Sequence, residues 1–245
     1  MLHDTLQDVY VYGQMAEYDD DARYAYVTDS ALAVMPDKND SLYLHADTLW
    51  MRTDSAGQAE MMQAYYKVKY YRKSLQGMCD SLVYHFSDSV IIMYNEPVMW
   101  SDENQLTSDS VKIFITDNQI DTLVLYNSCF IISKDDTNSY NQIKGRTMIG
   151  YFKDNEIRKF RVNGNAETIY YLREEDKSLM GIQKAIANRM NIYIDSSEIR
   201  GFTYIDKPDG AIHTVWELSP EELFLRDFKW IEGRRPMRKE DVFVW

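Results

Sequence analysis

The feature that most limits how this chain can fold is a repeat. Residues 78–91, MCDSLVYHFSDSVI, align with residues 107–120, TSDSVKIFITDNQI, at an offset of 29. Asp80 falls on Asp109, Ser81 on Ser110, Leu82 on Val111, Tyr84 on Ile113, Phe86 on Ile115 and Asp88 on Asp117. Residues 145–160, GRTMIGYFKDNEIRKF, align with 187–202, ANRMNIYIDSSEIRGF, at 42, and Val111 falls on Met148 at 37. ADTLWM (46–51) and VTDSALAVM (27–35) read as earlier, weaker copies. Self-similarity at a period of this order marks stacked supersecondary units, none of which buries its apolar face alone.

Each unit reads as strand, polar turn, strand. DNQ, DNE and DSSE supply turns, because Asn, Asp and Ser bond locally to the backbone and tolerate turn dihedrals. NGN (163–165) and PDG (208–210) are read as further turns. Strand residues alternate between faces. Val111, Ile113 and Ile115 therefore share one face, Met190, Ile192 and Ile194 share another, and Tyr66, Val68 and Tyr70 oppose Lys67, Lys69 and Lys73. Short strands at this spacing predict a sandwich, barrel or β-solenoid. The repeats run over about 27–51, 64–100, 106–131, 143–171 and 186–217, within a single domain spanning 1–245. Only SPEELFLRDF (219–228) reads as helix, with Ser219 as N-cap and Pro220 first in the helix. It lies where a solenoid needs a cap, within a cap and tail of 218–245. The basic run EGRRPMRKED is read as a solvated terminus.

Composition removes several function classes. Apolar residues make up 45% of the chain and its formal charge is −12, so it is globular and a poor match for nucleic acid. His3, His45, His85 and His213 lack metal-ligand spacing, and no cofactor or metal is expected. Cys79 and Cys129 either pair or are both buried thiols, the second being the commoner case. Asp19, Asp20 and Asp21 read as a solvated acidic loop. Asp80 and Asp109 resemble catalytic carboxylates singly, but a repeated residue serves a scaffold, so both are assigned to turns. Trp50 and Trp100 each end a strand-like run and are read as equivalent core positions. No apolar run is long enough to span a membrane. The start, MLHDTLQDVY, is not a signal peptide, so the protein is either cytosolic or trimmed of one, and the strand-like run that opens the chain favours the second.

The DSLVY unit with its turn, NEPVMW, YNQIKGRTMIGYF, VNGNAETIYY and RDFKWIEGRRP, taken in order, resemble the OstA-like/LptA-like family over roughly 27–243. The resemblance implies an all-β, open β-jellyroll solenoid of stacked antiparallel strand pairs, with a short C-terminal helix. It implies a non-enzymatic periplasmic protein that carries lipopolysaccharide, through its lipid A part, toward the outer membrane. It also implies end-to-end association through edge strands. The acyl contacts expected are inward apolar residues: Leu82, Tyr84, Phe86, Val111, Ile113, Ile115, Met148, Phe152, Met190, Ile192 and Ile194. Two basic runs would offset the negative charge toward an anionic lipid, or are solvated strand faces: Lys67, Lys69, Arg72 and Lys73, and Lys144, Arg146, Lys153, Arg158, Lys159 and Arg161. A glycan-binding or structural β-solenoid, using exposed Tyr and Trp, is the alternative.

Overall fold

The computed structural model describes residues 2–4, 8–37, 40–195 and 198–245. Among them the fold is all-β and antiparallel, of the jellyroll type. The strands are β1 (Leu2–Asp4), β2 (Val9–Tyr12), β3 (Met15–Asp19), β4 (Tyr24–Met35), β5 (Leu42–Thr53), β6 (Ala59–Arg72), β7 (Leu75–His85), β8 (Val90–Tyr94) and β9 (Val98–Ser101). They continue as β10 (Asn104–Thr107), β11 (Ser110–Thr116), β12 (Gln119–Asp136), β13 (Ser139–Lys153), β14 (Glu156–Arg173), β15 (Leu179–Asp195), β16 (Glu198–Ile205) and β17 (Asp209–His213). Two compact units emerge: unit 1 holds 1–102, 110–114 and 231–245, and unit 2 holds 103–109 and 115–230.

The DN dipeptides form two-residue hairpin turns. Asp117 and Asn118 have φ of 51° and 60°, and Asp154 and Asn155 have 57° and 59°. Positive φ at both central residues is the type I′ turn, whose twist matches the strands it joins. Of DSSE, Ser196 and Ser197 lie outside the described residues. NGN is not a hairpin turn. Gly164 and Asn165 take positive φ inside β14, where the pairing with β13 shifts register. The PDG turn sits slightly earlier, at Asp206 and Lys207, and Asp209 and Gly210 already belong to β17.

Such mid-ladder corners are the structural form of the repeat. Pairs of residues with positive φ occur at 29/30, 66/67, 95/96, 127/128, 164/165 and 206/207, spaced by 37, 29, 32, 37 and 42. Where a long strand has such a pair it bulges and bends, as β4, β6, β12 and β14 do. Asp80 and Asp109 stand at these corners. Asp80 accepts from Asn95 Nδ2 at 3.1 Å and Ser81 Oγ at 2.8 Å. The Asp109 N–H donates to the Tyr126 and Asn127 carbonyls. The corner at Tyr66 and Lys67 also corrects the expected alternation: beyond it both Lys69 and Tyr70 are buried.

The C-terminal segment differs from its reading. The helix expected over 219–228 is a single 3-10 turn, Pro220–Leu223, started by Ser219 whose N–H donates to Glu222 Oε2 at 2.9 Å. The chain beyond it is irregular, turning at Arg226 and Asp227, and Leu223, Leu225, Phe228 and Trp230 pack on the sheet of unit 2, where a continuous helix would turn some of them away. The basic tail is not a solvated terminus either. In unit 1, Ile231 packs on Trp100, Arg235 donates to Gln76 Oε1 and the Asp102 carbonyl, and Lys69 donates to the Arg234 and Val244 carbonyls. Val242 is buried.

Cys79 in unit 1 and Cys129 in unit 2 are free, buried thiols, each pushed up to about 12 by burial. Neither is expected to react with iodoacetamide at pH 8 in the native protein, and both are expected to react in urea. Mass spectrometry of the alkylated protein reads this, and rapid native labelling of either would contradict the assigned burial.

Candidate functional site

The strand register gathers the apolar candidates into cross-strand rows. In unit 1 one row runs Val27, Leu49, Ala64, Leu82, Met93 and Val111. The next runs Ala25, Met51, Met62, Tyr84, Ile91 and Ile113. In unit 2 the equivalent rows are Leu125, Met148, Val162, Met190 and Tyr204, and Leu123, Gly150, Phe160, Ile192 and Phe202. Leu82, Val111, Ile113, Met148, Met190 and Ile192 are buried. Tyr84, Ile115, Phe152 and Ile194 are half-buried toward the hairpin ends, and half-buried Phe86 lies just past β7 with its ring 4.3 Å from that of Tyr84.

In unit 2 the corners fold each long strand so that its two halves face one another. Thr168 on the far half of β14 meets the Tyr204 hydroxyl of β16 at 3.1 Å, and the Tyr170 ring meets Phe202 edge-on at 5.1 Å. The rows of Met148 and Ile192 therefore line an interior between half-sheets, and that interior is occupied by side chains: Met148, Val162 and Met190 are fully buried. The sequence reading missed their partners Leu123, Leu125, Phe160 and Val162, although alternation in TLVLY and KFRV carried the signal.

The opposite face of the far half-sheets bears polar residues, of which Lys144 was expected only as part of a basic run and Gln142 and Gln105 were not singled out. Gln142 is buried, and its amide donates to the Leu223 carbonyl at 2.8 Å while its oxygen accepts from the Leu225 N–H at 2.8 Å. Gln105 donates to the Lys229 carbonyl at 2.7 Å and Lys144 to that of Arg226 at 2.8 Å. These side chains hold backbone, so they bind the C-terminal segment largely irrespective of its side chains.

Most of the expected basic runs do not form open cationic patches. Arg72 pairs with Asp37 and Asp40, Lys67 with Asp47, and Arg158 with Glu156 and Asp195. Lys69 is buried beneath the tail, and burial lowers its pKa. Trp50 and Trp100 are not equivalent. Trp100 is wholly buried under Ile231, whereas Trp50 stands beside Tyr24 on the outer face, rings 6.3 Å apart. Among the described residues no group of His, Cys, Asp and Glu is placed to hold a metal ion. No helix among the described residues is long and apolar enough to cross a membrane.

No family model and no curated relative matches the chain. Among solved structures it is similar to LptH of Pseudomonas aeruginosa, described as the LptA-homologous periplasmic component of the conserved lipopolysaccharide transport device. The identity is 14% and the TM-score 0.39, over 46% of this chain and 79% of that one.

Proposed function

We propose that this protein is a non-enzymatic module of the bacterial envelope that carries lipid, of the lipopolysaccharide class, in the apolar interior of its jellyroll. The observation that supports the reading is the run of apolar side chains across successive strands within each unit, with Met51, Met62 and Met93 in unit 1 and Met148 and Met190 in unit 2. Methionine is unbranched and repacks readily, so an interior rich in it admits an acyl chain by rearrangement rather than by a preformed pore. Each methylene transferred from water contributes about 0.8 kcal/mol. On this reading the protein works in the periplasm, its lipid partner is lipid A, and its end strands meet other β-jellyroll partners or a second copy.

The test is native mass spectrometry and lipid extraction of the protein purified from a Gram-negative host. Lipid A-containing species are expected with the parent chain and with Phe114→Glu, on the outer face, and are expected to be lost from folded Ile113→Glu. Equal lipid in both variants, or a lipid-free parent unresponsive to added lipopolysaccharide, would sink the reading.

The outer-face aromatics favour a second reading, a glycan-binding module. The Tyr24 and Tyr26 rings stack at 6.3 Å, and both hydroxyls donate to Glu17, at 2.8 and 2.7 Å, which fixes the rings beside Trp50. Quenching of Trp50 fluorescence by an oligosaccharide, absent in Tyr24→Ala, would favour it.

A further inference from the structure

We propose that the outer face of unit 2 carries a site for an acidic saccharide, a pyranose bearing a carboxylate or phosphate, formed by Tyr151, Lys159, Arg161, Asn191 and Tyr193. The inference does not rest on the lipid-carrying interior, since all five residues alternate away from the buried Phe160, Val162, Met190 and Ile192.

Register puts them side by side on β13, β14 and β15. Lys159 pairs with Tyr151 on one side and Tyr193 on the other, and in the adjacent row Arg161 lies between Ile149 and Asn191. Three strands span about 10 Å, the scale of a sugar ring with its substituents. Lys159 Nζ lies 5.3 Å from the centre of the Tyr193 ring, and the Arg161 guanidinium 5.9 Å from that of Tyr151.

Charge identifies the missing partner. Acidic residues number 39 against 27 Lys and Arg, and nearby arginines are taken up: Arg158 by Glu156 and Asp195, Arg189 by Asp206, Arg200 by Glu198. Among the described residues neither Lys159 nor Arg161 has a carboxylate at ion-pair distance, although they stand two residues apart on one face. Tyrosine faces offset such a cation pair only weakly at an exposed site. An anion between them relieves their repulsion with charge-assisted hydrogen bonds.

Two further observations point to a sugar rather than a bare anion. Tyr193 is 43% exposed, so its ring is available to a pyranose face. Asn191 Oδ1 is buried without a hydrogen-bond partner, and a hydroxyl can donate to it. The overall charge of −12 works against long polyanions and favours a single acidic unit or short oligomer.

Calorimetric titration of the full chain tests this with a hexuronate trimer, a hexose phosphate, inorganic phosphate and a neutral hexose trimer. Saturable binding of either acidic sugar is expected, and the tighter of the two identifies the preferred anion. Binding should weaken about tenfold or more in Lys159→Gln/Arg161→Gln and in Tyr193→Ala, and should fall with added salt. Melting temperatures of the variants serve as the folding control, and these side chains lie outside the core. The proposal is overturned if neither acidic sugar saturates, if the neutral trimer binds equally well, or if the double variant binds unchanged. Inorganic phosphate binding as tightly as the sugars, with no effect of Tyr193→Ala, would reduce the site to a cation pair and also overturn it.

Discussion

A chain ended at His213 is expected to lose most of its stability and to bind a hydrophobic dye in dilute buffer. The segment removed carries Leu218, Leu223, Leu225, Phe228 and Trp230, which in unit 2 cover Phe130, Ile132, Ile169, Tyr171 and Ile182. Burial of an apolar side chain contributes about 1.5–3 kcal/mol when complete, so one buried and four partly buried ones amount to about 5 kcal/mol or more. A domain has only about 5–15 kcal/mol in total. In unit 1 the loss of Ile231 uncovers Trp100, which is wholly buried in the intact protein. Urea titration followed by tryptophan fluorescence reads the loss. A soluble truncated chain with an unchanged midpoint would show that the segment is an appendage. The companion variant Gln142→Ala removes the bonds to Leu223, Leu225 and the Tyr140 carbonyl while leaving the apolar side chains of the segment in the chain. It is expected to cost about 1–3 kcal/mol, because the backbone groups it served stay buried.

Met190→Glu is expected to destabilise the protein by about 4 kcal/mol at pH 7, with a pH dependence of definite sign. Met190 is wholly buried between Val162 and Tyr204 in the interior row of unit 2. A carboxylate there has no partner, so burial raises its pKa above the unfolded value of about 4.3. A raised folded-state pKa means that the native state holds the proton as pH rises and the unfolded state releases it. The penalty is therefore smallest below about pH 4 and grows toward neutrality, by about 3 kcal/mol if the folded pKa lies near 7. Met190→Gln should show none of this extra dependence, and Met190→Leu should cost under about 1.5 kcal/mol. Urea midpoints of the three variants across pH 4–7 decide the matter. A Glu variant that tracks the Gln variant at every pH would mean that the site is wet.

The DN pairs at 117/118 and 154/155 were legible in the sequence as turns, because Asp and Asn adopt positive φ at little cost. The face shared by Leu82, Tyr84, Val111 and Ile113 was legible because strand alternation has a period of two. NGN at 163–165 shows the limit. The same local chemistry that closes a hairpin also bends a continuing strand, and only pairing with β13 and β15 distinguishes them. The run from Tyr66 to Tyr70 failed for a related reason, since two residues of positive φ at the corner reset the alternation.

The sequence alone therefore determined the all-β class, the repeat with its spacings of 29, 37 and 42, and the apolar face shared by Leu82, Val111, Ile113, Met190 and Ile192, because these depend on local propensity and periodicity. The tertiary structure decided the rest. Gln142, Gln105 and Lys69 gained their roles from backbone carbonyls 81, 124 and 165 residues away, and no local pattern encodes a partner at that distance. It also decided which cations stay unpaired. Arg158 and Lys159 are neighbours in the chain, yet strand alternation sends one to Glu156 and Asp195 and leaves the other over the face of Tyr193.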